Sequence, residues 1–220
     1  MILQDILSKD EQNHGATFCP IILGSDKTTV SVATGQNEYY PLYLTNGLIH
    51  NNVRRAHRNG VTLIGFLAIP KSEFCCYYYL IHAHDDLADR ENEDTAEFRQ
   101  FRRELFHGSL TCILETLRPG MTKPEVIRYG DGHYRQTLFG LGPYIADYPE
   151  QALLCCIVQG WCPKCTAKND DLDGTRGRRT HALTEAAMGI FDKKALWNDY
   201  GIVSGIMVSC ATSIIIFSCL

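Results

Sequence analysis

The sequence has no basic excess. Over 220 residues, 21 Lys and Arg stand against 25 Asp and Glu, a formal net charge of -4. No global positive field advertises nucleic acid, so any DNA contact has to come from local patches. An apolar run is also missing at the start, where MILQDILSKDEQ carries acidic residues and does not read as a secretory signal. Internal repeats are absent, which argues against a solenoid. The last stretch, Gly201 to Leu220, has no charged side chain at all. It is rich in Ile and Val but broken by Ser204, Ser209, Thr212, Ser213 and Ser218. A membrane helix needs ~20 mainly apolar residues, so the tail just qualifies by length. No basic cluster flanks it on the chain side, which weakens that reading.

What is present suits one domain, or one domain plus a fragment. The hydrophobic share is 45% and the charged share 21%, ordinary for a globular chain. Ten cysteines raise the idea of a secreted disulfide scaffold. The length, the apolar content and the Cys162-Pro163-Lys164-Cys165 spacing argue instead for reduced thiols and a metal site.

Along the chain, Ile21-Ile22-Leu23 with Val30 and Val32 suits a buried strand, a turn and a second strand. Tyr39 to Leu44 is an aromatic, β-prone run, and VTLIGFLAI at 61–69 reads as a further strand closed by Pro70. Short turns between them suggest an antiparallel meander. Residues 51–59 are polar and basic, a loop or short helix. Asp94 and Glu97 have capping-box spacing, and Phe98, Phe101, Leu105, Ile113 and Leu117 then recur at helical intervals until Pro119-Gly120. DGHYR reads as a turn, QTLFGLGPYIA as a short strand and a bend, and Thr184 to Leu196 as one helix.

Two carboxylates follow apolar strands, Asp26 and Asp147. A charge at the edge of a buried strand is costly unless it is paired or binds a metal. Enzymes that transfer phosphoryl groups on an RNase H-like core use such carboxylates to hold two Mg²⁺ ions. The order β, β, β, helix, β, with Asp after the first and fourth strands, fits that core. Taken singly, each Asp is more commonly a turn cap. Cys162 and Cys165 form half of a tetrahedral zinc site, with His181 reachable across a polar loop and Cys155, Cys156 and His133 as further candidates. A redox pair lacks its usual βαβ surroundings, and two buried free thiols are the plainer alternative. Arg54, Arg55, His57 and Arg58 form one basic cluster, and Arg176, Arg178 and Arg179 another. Either can contact phosphates or simply face solvent. His107 falls near the apolar face of its helix and reads as packed.

Several long blocks together resemble the Plavaka family of fungal DDE transposases, within the Kyakuja-Dileera-Zisupton group. They are GSDKTTVSVATGQNEYYPLYLTNGLIHNNVRRAHRNGVTLIGFLAIPK, FRQFRRELFHGSLTCILETLRPGM, DGHYRQTLFGLGPYIADYPEQALLCCIVQGWCPKCTA, LDGTRGRRTHALTEA and LWNDYGIVS, covering roughly residues 16–73 and 95–204 in the family's order. The resemblance implies an α/β fold: an RNase H-like mixed sheet with flanking helices, incomplete, with a Cys/His zinc-type insertion. It implies metal-dependent DNA cleavage and strand transfer. Asp26 in GSDKT matches the first acid and Asp147 in IADYPEQ the second, both ligands of Mg²⁺ or Mn²⁺. Cys162, Cys165 and His181 match the Cys/His cluster that takes Zn²⁺. Arg54, Arg55 and Arg58 are the candidate DNA contacts. The implied partner is DNA at transposon ends, with homo-oligomers compatible and no small-molecule substrate. The implied location is the nucleus.

On this reading residues 1–15 are an N-terminal segment, 16–154 a partial core, 155–199 the Cys/His region and 200–220 an apolar tail. Residues 74–84 and the tail from about Gly205 depart from the family and read as translated noncoding sequence. A transcript spliced across either would show it, and a continuous transcript would refute it. Gly201–Leu220 holds no Asp or Glu to serve as third acid, and Glu150 and Asp192 sit in no matching motif. The expectation is therefore an inactive transposase fragment. The alternatives are a non-catalytic, zinc-stabilised DNA-binding or interaction remnant and a tail-anchored membrane protein. The fold makes one geometric demand. Asp26 and Asp147 must lie at the same end of the sheet, with carboxylate oxygens on the order of 4–8 Å apart.

Overall fold

The computed structural model describes residues 11–31, 37–56, 59–70, 95–168, 170–171 and 177–206. The segment 74–84, Asp94, His57, Arg58, Arg176 and the tail from residue 207 lie outside them.

The meander expected from the apolar runs is present. Strand β1 (Thr17–Ser25) alternates buried Cys19, Ile21, Leu23 and Ser25 with half-buried neighbours, the period-two pattern of a strand covered on both faces. A small hairpin follows, β2 (Thr28–Ser31) with β3 (Asn37–Tyr39), as a sheet of its own. Strand β4 (Pro41–Asn46) pairs antiparallel with β1, and β5 (Thr62–Phe66) pairs antiparallel with β4. Between them lies the short helix α1 (Asn51–Arg55).

Helix α2 (Ala96–Leu114) is capped one residue later than the sequence spacing suggests. Thr95, not Asp94, is the N-cap, and its hydroxyl accepts from the Phe98 N–H. Its buried stripe is also rotated from the expected one. Phe98 is buried as expected, with Phe106, His107, Leu110 and Leu114, while Phe101, Leu105, Ile113 and Leu117 are half-buried. A helix apolar over a wide arc offers two adjacent stripes, and the sheet selects one of them. Tyr40 packs on Phe106 with ring centroids 6.0 Å apart. At Gly65 a Cβ would lie 3.0 Å from the Ile113 Cδ1, so the missing side chain lets helix and sheet approach.

Pro119-Gly120 does not end the helical course. A 3₁₀ turn at Glu115–Leu117 leads into helix α3 (Arg118–Thr122), with Pro119 in its first turn, where a missing N–H costs nothing. Strand β6 (Glu125–Arg128) then forms a hairpin with β7 (Tyr134–Ile145), a single strand of 12 residues rather than a short strand and a bend. The register of β7 on β1 shifts between Ile21/Leu141 and Leu23/Tyr144, which places Gly142 and Pro143 in a bulge. Strand β7 runs parallel to β1, and the sheet order is β5-β4-β1-β7-β6.

Beyond the sheet come α4 (Tyr148–Leu154), α5 (His181–Ile190) and α6 (Lys193–Asp199). The single helix expected over 184–196 is two, because Asp192 caps α6 by accepting from the Ala195 N–H. The fold is thus mixed α/β: a five-stranded mixed sheet with flanking helices. Its main core joins Ile21, Leu23, Leu42, Leu110, Tyr144 and Leu154.

Candidate functional site

Parallel pairing of β1 and β7 fixes the geometry of the acidic end. Gly24 pairs with Ile145, so Asp26 and Asp147 each come two residues after this pair, at the same end of the sheet. Both residues are exposed.

Asp147 is the N-cap of α4, and its carbonyl accepts from the Gln151 N–H at 2.9 Å. Its carboxylate makes no capping bond, which leaves the acid available to an outside ligand. Asp26 lies in the turn into β2, where its carbonyl accepts from the Thr28 hydroxyl at 3.3 Å. Exposed carboxylate oxygens at two strand ends are a donor set that suits a hard cation such as Mg²⁺ or Mn²⁺.

Behind them runs a polar relay that the sequence reading missed. The Tyr144 hydroxyl donates to Ser25 Oγ at 2.7 Å, and Ser25 Oγ donates to Glu150 Oε2 at 2.6 Å. The other Glu150 oxygen accepts from the Lys27 backbone N–H at 3.3 Å. Lys27 Nζ pairs with Glu38 at 2.7 Å. Burial first, and then the Glu150 carboxylate, push the Tyr40 phenol above its usual pKa, keeping it a neutral donor. The visible signal was Asp147-x-x-Glu150, a capping-box spacing.

The thiol end lies past the other terminus of α4. The Lys164 N–H points at Cys162 Sγ at 3.4 Å. The loop is closed by Cys162 N to Ala167 O at 2.9 Å and Arg179 N to Lys164 O at 3.0 Å. Burial alone would raise the Cys162 thiol. The N–H groups of Lys164 and Cys165, the Cys165 side chain and the Arg179 guanidinium outweigh it and lower the pKa. Arg179 is 3% exposed, with Nε and Nη2 lacking hydrogen-bond partners. Burial lowers its pKa, and Cys162, Cys155 and Cys165 oppose that. The buried Arg179 cation favours the thiolate of Cys162, the form that binds a soft metal. It is not a DNA contact. His181 Nε2 lies 3.1 Å from Glu185 Oε1 within α5. Among the described residues, no group of three His, Cys, Asp or Glu side chains is placed to hold a metal. All six described cysteines are free, in line with reduced thiols.

The basic cluster divides. Arg54 is held by the fold, with Nε donating to Thr45 Oγ1 at 3.1 Å and Nη2 to the carbonyls of Asn46 and Ile49 at 3.1 and 3.0 Å. Arg55 is exposed, and Arg58 lies outside the described residues.

Against this geometry, the family model described as Plavaka transposase matches residues 2–209. The chain belongs to the Plavaka transposase family. No curated protein matches it. The matched span includes Asp26, Asp147, Glu150 and the thiol loop. Among the described residues of this Plavaka chain, no helix is long and apolar enough to cross a membrane.

Proposed function

We propose that the chain carries the first two acids of an RNase H-like DDE transposase centre, Asp26 and Asp147, as ligands for Mg²⁺ or Mn²⁺. The observation that carries this reading is their placement at the ends of two adjacent parallel strands, two residues past the paired Gly24 and Ile145. The order of three antiparallel strands, a helix and a strand parallel to the first supports the same core, with β6 as an added edge.

Bound Mg²⁺ would supply the positive charge that activates water, and then a 3′-hydroxyl, for attack on a phosphodiester. The chain's own part is to present the two carboxylates from rigid strand ends and to hold them with Glu150. The partner is DNA at transposon ends, and the place of action the nucleus. The pair is expected to bind cation, and without a third acid to bind it without cutting. Purified protein should bind Mn²⁺, and Asp26→Asn and Asp147→Asn should each weaken that binding strongly while leaving folding intact. No Mg²⁺-dependent nicking is expected on DNA carrying the element's ends. Equal Mn²⁺ binding by wild type and both variants would sink the proposal.

The thiol loop supports a second reading, a zinc-stabilised DNA-binding or interaction unit without catalysis. Cys162 and Cys165 supply two of the four usual ligands, and Arg179 balances their charge. Metal analysis of the purified chain should find zinc, and Cys162→Ser should lose it and melt earlier. Zinc-free wild-type protein counts against this reading.

A further inference from the structure

Glu150 occupies the third position of α4, the place from which a glutamate normally reaches back to its own N-cap. Here it does not close that box. Its carboxylate crosses to the neighbouring strand end and grips the residues on either side of Asp26: the Ser25 hydroxyl at 2.6 Å and the Lys27 backbone N–H at 3.3 Å. Ser25 is buried and braced from behind by the Tyr144 hydroxyl at 2.7 Å. Tyr144 in turn is set by the bulge at Gly142-Pro143. Asp147 begins the helix on which Glu150 sits. One carboxylate therefore ties together the two turns that carry Asp26 and Asp147, without spending either acid.

We infer that Glu150 is a positioning residue that fixes the separation of Asp26 and Asp147 for a divalent cation. The role assigned to it is this grip on Ser25 and Lys27, through one hydrogen bond to each of its oxygens, and not direct ligation of the cation. The inference rests on the two-carboxylate reading above. It assigns Glu150 the task of outer-shell partners in metal sites generally, whose loss costs about 10- to 100-fold in metal affinity.

The test is a Mn²⁺ titration of the full chain, followed by electron paramagnetic resonance, on wild type, Glu150→Ala, Glu150→Gln, Asp26→Asn and Asp147→Asn. The melting temperature of each metal-free protein is measured alongside. Glu150→Ala is expected to weaken Mn²⁺ binding about 10-fold or more. Glu150→Gln keeps an acceptor for Lys27 and should weaken it by a smaller factor. If Glu150→Ala fails to fold, Glu150→Gln carries the test. A Glu150 variant that melts early yet binds Mn²⁺ as tightly as wild type gives the residue a purely architectural job and overturns the inference. If the wild-type chain takes up no Mn²⁺, or Asp26→Asn takes it up equally well, the two-carboxylate reading falls and the inference falls with it. If both Asp variants lose Mn²⁺ and both Glu150 variants keep it, the inference alone is overturned.

Discussion

The imidazole of His107 is 1% exposed, with Nε2 lying 3.2 Å from the Leu153 carbonyl and 3.3 Å from Cys156 Sγ, and with no partner for Nδ1. Burial lowers its pKa to about 4, against the Leu153 hydrogen bond, which raises it. Burial pushes the facing Cys156 thiol up to about 12, although Arg103 nearby opposes this, so His107 has no anion to pair with. In the unfolded chain a histidine titrates near ~6.5. Its contribution to stability is therefore complete above pH ~6.5 and is lost as pH falls toward 4, where the unfolded state takes up a proton that the folded state refuses. The loss amounts to roughly 3 kcal/mol over that window. Urea denaturation at pH 7 and pH 5 should show it, and His107→Leu should flatten the difference. Arg54 makes a contrasting prediction. Its guanidinium binds Thr45, Asn46 and Ile49, so Arg54→Ala should cost about 1–3 kcal/mol of stability. The exposed Arg55→Ala should leave melting unchanged. If Arg55 touches DNA, its loss alone should lower the salt dependence of binding. In the sequence the two arginines are alike, and only the hydrogen bonds separate them.

At the level of elements, period-two strands were legible and interruptions were not. The meander of β1, β4 and β5 follows from apolar runs between turn residues. Strand β7 was harder, because buried Thr137, Leu138, Leu141 and Tyr144 do not alternate, and the bulge at Gly142-Pro143 shifts the last of them by one residue. The register that aligns Asp26 with Asp147 depends on that bulge, yet the placement of both acids after apolar runs was readable. Glu150 was not read as part of the site, because its spacing announces a local cap and its partners lie more than a hundred residues away. The thiol loop was visible as a C-x-x-C, but Arg179 looked like surface charge until its burial was seen. A further element-scale prediction concerns the strap after α6. Gly201 has φ +63 and lies against the Trp161 ring, which a Cβ would overlap. Gly201→Ala should therefore destabilise the chain by more than about 1 kcal/mol, read as an earlier melting transition. An unchanged melt would mean that the Trp161 loop is not held there.

For the molecule as a whole, the acidic end and the thiol end are not separate modules. Both hang on α4, seven residues long, whose N-cap is Asp147 and whose C-cap is Cys155. The residue after Asp147 closes the link. The Tyr148 hydroxyl accepts from the Gly160 N–H at 2.6 Å and donates to the Trp161 carbonyl at 3.0 Å, next to Cys162. A mobile element accumulates mutations once selection on its transposase relaxes. In a chain with two independent sites, such drift would erode one site and spare the other for a time. Here the phenol that steadies the approach to Cys162 grows from the backbone next to Asp147, so the two ends share one short helix. Under the cation and zinc readings proposed above, decaying copies of this gene are expected to lose both kinds of binding together rather than in sequence.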